Sequence, residues 1–141
     1  MSTYSHSRLA SFKQCPLKYR YKYIDKIKPE LGQSIESFLG QRVHEVLEWI
    51  YTEAQKGKVP ELSEVLYFYK KNWENNFEPN VRIIKKQHNL EEYYNRGKRF
   101  LEQYYNRNKP FADGTIALEH EIKFNLDKEG KYQLIGYIDR L

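Results

Sequence analysis

Apolar side chains recur along this chain with two different periods, and the change of period divides it. Ile35, Phe38, Leu39, Val43, Val46, Leu47, Ile50 and Ala54 return at steps of three and four residues. That spacing predicts a long amphipathic helix ending near Gly57. Leu62, Val65, Leu66, Tyr69 and Trp73 predict another over about 61–77. Leu90, Tyr93, Tyr94, Gly97, Phe100, Leu101, Tyr104 and Tyr105 predict a third over about 90–107, stopped by Asn108-Lys-Pro110. Upstream, Ser5 or Ser7 can cap a short helix through Gln14, with Leu9 and Phe12 as its apolar edge, and Pro16 opens a second one to about Tyr23. Residues 28–34 read as a connector. Later the pattern turns β-prone, over 115–125 and 132–141, with Asp127-Lys-Glu-Gly130 as the turn between them. The two runs predict an antiparallel hairpin. Helices first and strands last make the expected fold class α+β, in a single domain over residues 1–141.

Composition narrows this picture. The 141 residues are 40% hydrophobic and 30% charged, with 7 Gly and 5 Pro, which suits a globular chain and excludes collagen-like and low-complexity classes. A single cysteine excludes a disulfide scaffold and suits a reducing compartment. No apolar run approaches the roughly 20 residues of a spanning helix, and the first residues lack the apolar segment of a signal peptide. The expectation is a cytoplasmic protein with no membrane association. Aromatic residues reach 16%, including 13 tyrosines. Tyrosine buries its ring while its hydroxyl stays wet, so it can give bulk to a small core or line a surface that a partner covers.

The net charge of +5 is unevenly spread. Residues 1–28 carry seven basic and one acidic side chains, and residues 67–109 carry ten and five; the segments between and after them are net acidic. Polyanions would be drawn to the basic blocks and metal cations to the carboxylates. In the first block the cations alternate with rings, Lys18, Tyr19, Arg20, Tyr21, Lys22, Tyr23, as a groove for a nucleic acid strand requires.

Candidate chemistry lies in the acidic segments. Asp139 ends the second strand in Gly136-Tyr-Ile-Asp-Arg140, and alternation puts it on the face opposite Ile138. Gly136 would permit a close backbone approach beside it. His44 lies at the border of the apolar stripe of the long helix, one turn from Glu48; it is either packed and salt-bridged or a ligand for a divalent metal. Glu121 on the first strand is an acid near Asp139, and Glu119 two residues earlier shares its face, so the register could choose either. Cys15, before Pro16, reads as a small buried residue.

Taken together and in order, these segments have a family likeness. Ser5-His-Ser-Arg-Leu-Ala-Ser-Phe-Lys-Gln-Cys-Pro16, Tyr19-Arg-Tyr21, Gly40-Gln-Arg-Val-His44, Glu121-Ile-Lys-Phe124 and Gly136-Tyr-Ile-Asp-Arg140 resemble the RecB-like branch of the PD-(D/E)xK nuclease superfamily. That branch includes the nuclease domains of RecB and AddB and the CRISPR-associated adaptation exonucleases. The resemblance implies a restriction-endonuclease-like core and metal-dependent cleavage of DNA, with Mg²⁺ or Mn²⁺ held by His44 and Asp139 and a catalytic role for both and for Glu121. It further implies DNA contacts from Arg8, Lys13, Lys18, Arg20 and Lys22, a helicase or other recombination or repair subunit as partner, and Cys15 as the first iron–sulfur ligand in a longer parent. One thiolate cannot complete such a cluster.

In the family an Asp/Glu-x-Lys strand follows the strand that carries Asp139, and it does not occur between Asp139 and Leu141. The expectation is an incomplete core, the N-terminal part of a nuclease domain, inactive alone. The strand of Asp139 would then have one edge unpaired, favouring self-association. The alternative is a non-catalytic module that binds nucleic acid or protein and carries a vestigial nuclease fold.

Overall fold

The computed structural model describes residues 2–28, 32–85 and 87–141, so residues 29–31 of the expected connector lie outside the described residues. In chain order the elements are β1 (Ser2–Ser5), α1 (His6–Gln14), α2 (Pro16–Tyr19) running on into a π-helical turn (Arg20–Ile24), α3 (Ile35–Gln55), α4 (Leu62–Asn76), α5 (Leu90–Asn108), β2 (Leu118–Asn125) and β3 (Tyr132–Arg140). Five helices and a three-stranded mixed sheet make an α+β fold. Two compact units are present: Leu31–Thr115, and the combination of Met1–Glu30 with Ile116–Leu141. No helix among the described residues is long and apolar enough to cross a membrane.

The helical unit holds α3, α4 and α5, and each begins at a chemical stop signal. Ser34 caps α3 by accepting from the Ser37 amide, Glu61 and Glu64 form a capping box for α4, and Asn89 and Glu92 do so for α5. The buried stripe is the one that the spacing predicts in outline: Ile35, Phe38, Leu39, Val46, Ile50 and Tyr51 from α3, Val65, Tyr69 and Trp73 from α4, and Tyr93, Leu101 and Tyr105 from α5. Much of this core is tyrosine, and its hydroxyls end on acceptors. Tyr69 donates to the Tyr94 carbonyl at 3.2 Å, Tyr105 to the Pro60 carbonyl at 2.8 Å, and Tyr93 to Glu36 at 2.8 Å. A buried ring with a satisfied hydroxyl contributes area without stranding a polar group. The core takes up Tyr51, Tyr69, Tyr93 and Tyr105, while Tyr21, Tyr67, Tyr132 and Tyr137 stand on the surface.

Arg42 is also inside, only 4% exposed. Its guanidinium covers the Phe38 ring and donates to Glu45 at 2.7 Å, and Glu45 accepts in turn from Asn72 of α4. Charge and packing are thus joined across the α3–α4 seam.

The second unit is built on the sheet, in the order β1-β3-β2. β2 and β3 form the expected antiparallel hairpin, while β1 runs parallel to β3 with Ser2 opposite Tyr132. The strand at Ser2–Ser5 is missed by the sequence reading because four residues with one alternation give no period; parallel pairing with a strand far along the chain decides it. β1 flanks β3 over residues 132–135 only; from Gly136 to Arg140, where Asp139 lies, β3 pairs with β2 alone among the described residues. Leu9 and Phe12, the apolar edge of α1, are 40% and 53% exposed, and the Phe12 ring meets Tyr19 edge-on at 5.3 Å. Gly136 makes no close approach, since a Cβ there would meet nothing within 4 Å.

Gly97 is a tight point inside α5. A Cβ there would lie 2.1 Å from the Tyr69 hydroxyl oxygen and 2.9 Å from the ring carbon that bears it. Gly97→Ala gains about 1 kcal/mol of helix propensity but overpacks a buried ring at a cost of about 1–3 kcal/mol, so a net loss is expected. Tyr69→Phe alone loses about 1 kcal/mol with its hydrogen bond, and the double variant should lose less than the sum, because the hydroxyl is the closest contact. Urea denaturation of the four proteins measures this; additive losses would mean that Gly97 and Tyr69 are not in contact.

The Tyr93 hydroxyl is the first of the causes that hold the Glu36 carboxyl below its ordinary value of 4.5, while the same bond raises Tyr93. A carboxyl depressed in the folded state stabilises the fold above its unfolded pKa, and that contribution disappears as pH falls through the folded value. Tyr93→Phe is expected to flatten the loss of stability below pH 4.5. Thermal unfolding across that range checks it; an acid limb as steep as in the unaltered protein counts against the link.

Candidate metal centre

The hairpin turn sets the geometry of the sheet. Asp127 accepts from the Tyr132 amide through Oδ1 at 2.9 Å and from the Lys131 amide through Oδ2 at 3.1 Å, and Gly130 takes a φ of 65°. Only a residue without a Cβ adopts that backbone cheaply. With the turn locked, the register pairs Leu118 with Arg140 and His120 with Ile138, so Glu119 stands opposite Asp139. A carboxylate oxygen of each lies within 4.8 Å of the other. Both residues are exposed.

Glu119 is in addition strained. Its φ of 48° is left-handed, at the second residue of β2, where a non-glycine residue bears a cost of about 1–3 kcal/mol. Two negative charges facing each other across adjacent strands also oppose the hairpin. A hard divalent cation would offset that repulsion, and carboxylate oxygens are the donors that Mg²⁺ and Mn²⁺ take. The donor set therefore fits such an ion.

Of the two glutamates between which the sequence leaves the choice open, Glu119 is the one set against Asp139. Glu121 is engaged elsewhere: it forms an ion pair with Lys123 and accepts from the Tyr137 hydroxyl at 2.8 Å. Lys123 first, then Tyr137, hold the Glu121 carboxyl below its ordinary range, and Glu121 in turn raises Lys123. His44 lies on α3 in the helical unit, two residues from Arg42 and from Val46, and so on the side of the helix away from their buried row. The sequence places it at the stripe's border; the buried row runs through Arg42 instead, whose burial composition alone does not reveal.

The basic residues of the N-terminal helices divide by role. Arg8 is held in an aromatic cage, its guanidinium 5.2, 5.6 and 5.3 Å from the ring centres of Tyr4, Tyr19 and Tyr23. It donates to the Thr3 carbonyl at 2.7 Å and to the Tyr19 hydroxyl at 3.1 Å. Arg8 thus fastens β1, α1, α2 and the π-helical turn to one another. Arg20 is paired with Asp25 at 3.1 Å, Lys22 lies over the Tyr23 ring, and Lys13 sits in the last turn of α1. Lys13, Lys18, Arg20 and Lys22 are exposed. Cys15 caps α2, its Sγ accepting from the Lys18 amide at 3.5 Å, and lines a cleft of about 640 Å³ with Leu17, Tyr21 and Ile27. The 141 residues supply one of the four thiolates that an iron–sulfur cluster needs, so such a cluster does not fit this chain.

A family model described as the PD-(D/E)XK nuclease superfamily matches residues 3–141. No curated protein and no solved structure matches the chain.

Proposed function

Because the chain belongs to the PD-(D/E)XK nuclease superfamily, we propose that it is part of a metal-dependent DNA nuclease of the RecB-like branch, acting in DNA repair or recombination beside a helicase or related subunit. The observation that carries this reading is the pair of carboxylates, Glu119 and Asp139, brought together on adjacent strands by the hairpin register. In this reading the two hold Mg²⁺ or Mn²⁺, and His44 joins them as a nitrogen ligand on the strength of Gly40-Gln-Arg-Val-His44. A bound cation supplies charge neutralisation at the phosphate and a water of lowered pKa. Glu121 acts through Lys123, whose ammonium it keeps charged and so able to meet negative charge that develops on the phosphate.

DNA is held by Lys13, Lys18, Arg20 and Lys22 on the exposed face of the N-terminal helices, with Arg8 fixing the rings among which they stand. A second reading, a binding module without catalysis, draws on a different observation: Leu17, Tyr21, Ile24 and Ile27 are 46–61% exposed beside those cations, a surface that suits a partner as well as a strand of DNA.

Calorimetric titration with Mn²⁺ tests the metal site without relying on turnover. Glu119→Gln and Asp139→Asn are each expected to weaken binding about tenfold or more, with circular dichroism unchanged. Equal affinity in the variants would remove both residues from the site.

The DNA surface is read by salt dependence. Replacing Lys18, Arg20 and Lys22 by alanine should reduce the slope of log affinity against log salt by about two to three. A slope that does not move would leave the basic block as a solvated face.

A further inference from the structure

β2 has β3 on one side, and on the other it pairs with no strand among the described residues. All of it but Leu118 is exposed, and it carries Ile122 and Phe124 at 37% and 49% exposure. An edge of this kind presents its backbone donors and acceptors to any second strand. At the turn end, the Leu126 amide donates to the Tyr132 carbonyl at 2.9 Å. Antiparallel ladders alternate inward and outward bonding, so the N–H and C=O groups of Glu121, Lys123 and Asn125 point away from β3 to the open side.

The order of side chains on this edge is self-complementary. Read outward in both directions from Ile122, lysine answers glutamate and phenylalanine answers histidine; beyond them Asn125 answers Glu119, where the ladder ends. We propose that β2 pairs antiparallel with β2 of a second copy of this chain, across a two-fold axis at Ile122. Each Glu121 then stands opposite Lys123 of the second copy, and the outward N–H of each donates to the carbonyl of the other. On the reverse face Ile122 meets its counterpart, and the His120 ring lies against Phe124 of the second copy. The two sheets become one of six strands, in the order β1-β3-β2-β2-β3-β1.

A lysine on an edge strand ordinarily repels a like strand. Here it attracts one, because the glutamate two residues earlier falls opposite it under two-fold symmetry, and opposite charges across a ladder are favourable. Glu121 and Lys123 already attract each other within one strand, so dimerisation exchanges two such contacts, one in each copy, for two between copies. The left-handed backbone at Glu119 ends the ladder on one side, which limits pairing to the segment around Ile122.

The test is sedimentation equilibrium of the whole chain over a wide concentration range, with three variants. The unaltered chain is expected to show a monomer–dimer equilibrium. Lys123→Pro removes an outward N–H that β3 does not use, so it should remain folded by circular dichroism and stay monomeric. Lys123→Glu sets two like pairs across the axis and should weaken the dimer about tenfold, and adding Glu121→Lys should restore it. A chain that is monomeric throughout, or a dimer that survives Lys123→Pro, overturns the proposal. Should Lys123→Pro not fold, the charge exchange decides: failure of the double variant to recover the dimer overturns it equally.

Discussion

Two hydrogen bonds to one carboxylate carry the functional geometry of the sheet. Asp127 accepts from the amides of Lys131 and Tyr132, and that turn decides which residue of β2 faces which residue of β3. Side chains alternate with a period of two, so a slip of one residue would send every one of them to the other face. Glu119 stands against Asp139, and Glu121 against Tyr137, only because the register is held. Parallel addition of β1 flanks β3 over residues 132–135, while Asp139 lies beyond that pairing, where β3 is joined by β2 alone among the described residues.

The two units are stabilised by different means. The helical unit has a core of conventional burial, with tyrosine rings whose hydroxyls reach carbonyls or a carboxylate, and with one arginine stacked inside it. The sheet unit contributes no fully buried large apolar side chain among the described residues. Its N-terminal helices are tied by a polar and aromatic device instead, the Arg8 guanidinium among three tyrosine rings. A planar cation that bonds through its edge and stacks through its face can join four short elements that are too small to bury a core of their own.

That difference locates the adaptable surface. Strain, facing carboxylates and exposed apolar groups all occur in the sheet unit: the left-handed Glu119, its neighbour Asp139, and Ile122, Phe124 and Tyr137 at 37–59% exposure. Free-energy costs of this kind persist where a ligand or partner offsets them. A cation answers the carboxylates, and a second strand answers the open edge.

Sequence alone determined the three long helices, the hairpin and the α+β class, because periods of 3.6 and 2 are local and survive any arrangement of neighbours. It also brought out the segments on which the family likeness rests, and it named Asp139 and the basic-aromatic block. Between Glu119 and Glu121 it could not choose, since both lie on one face and only strand pairing opposes one of them to Asp139. Nor could it foresee that Arg8 would be enclosed by tyrosines or Arg42 buried over Phe38, because a charge is drawn inside by partners distant in sequence. Tertiary structure alone decided that Ser2–Ser5 is a strand and that β3 is central, since a parallel pairing joins residues more than a hundred positions apart and leaves no local trace in either.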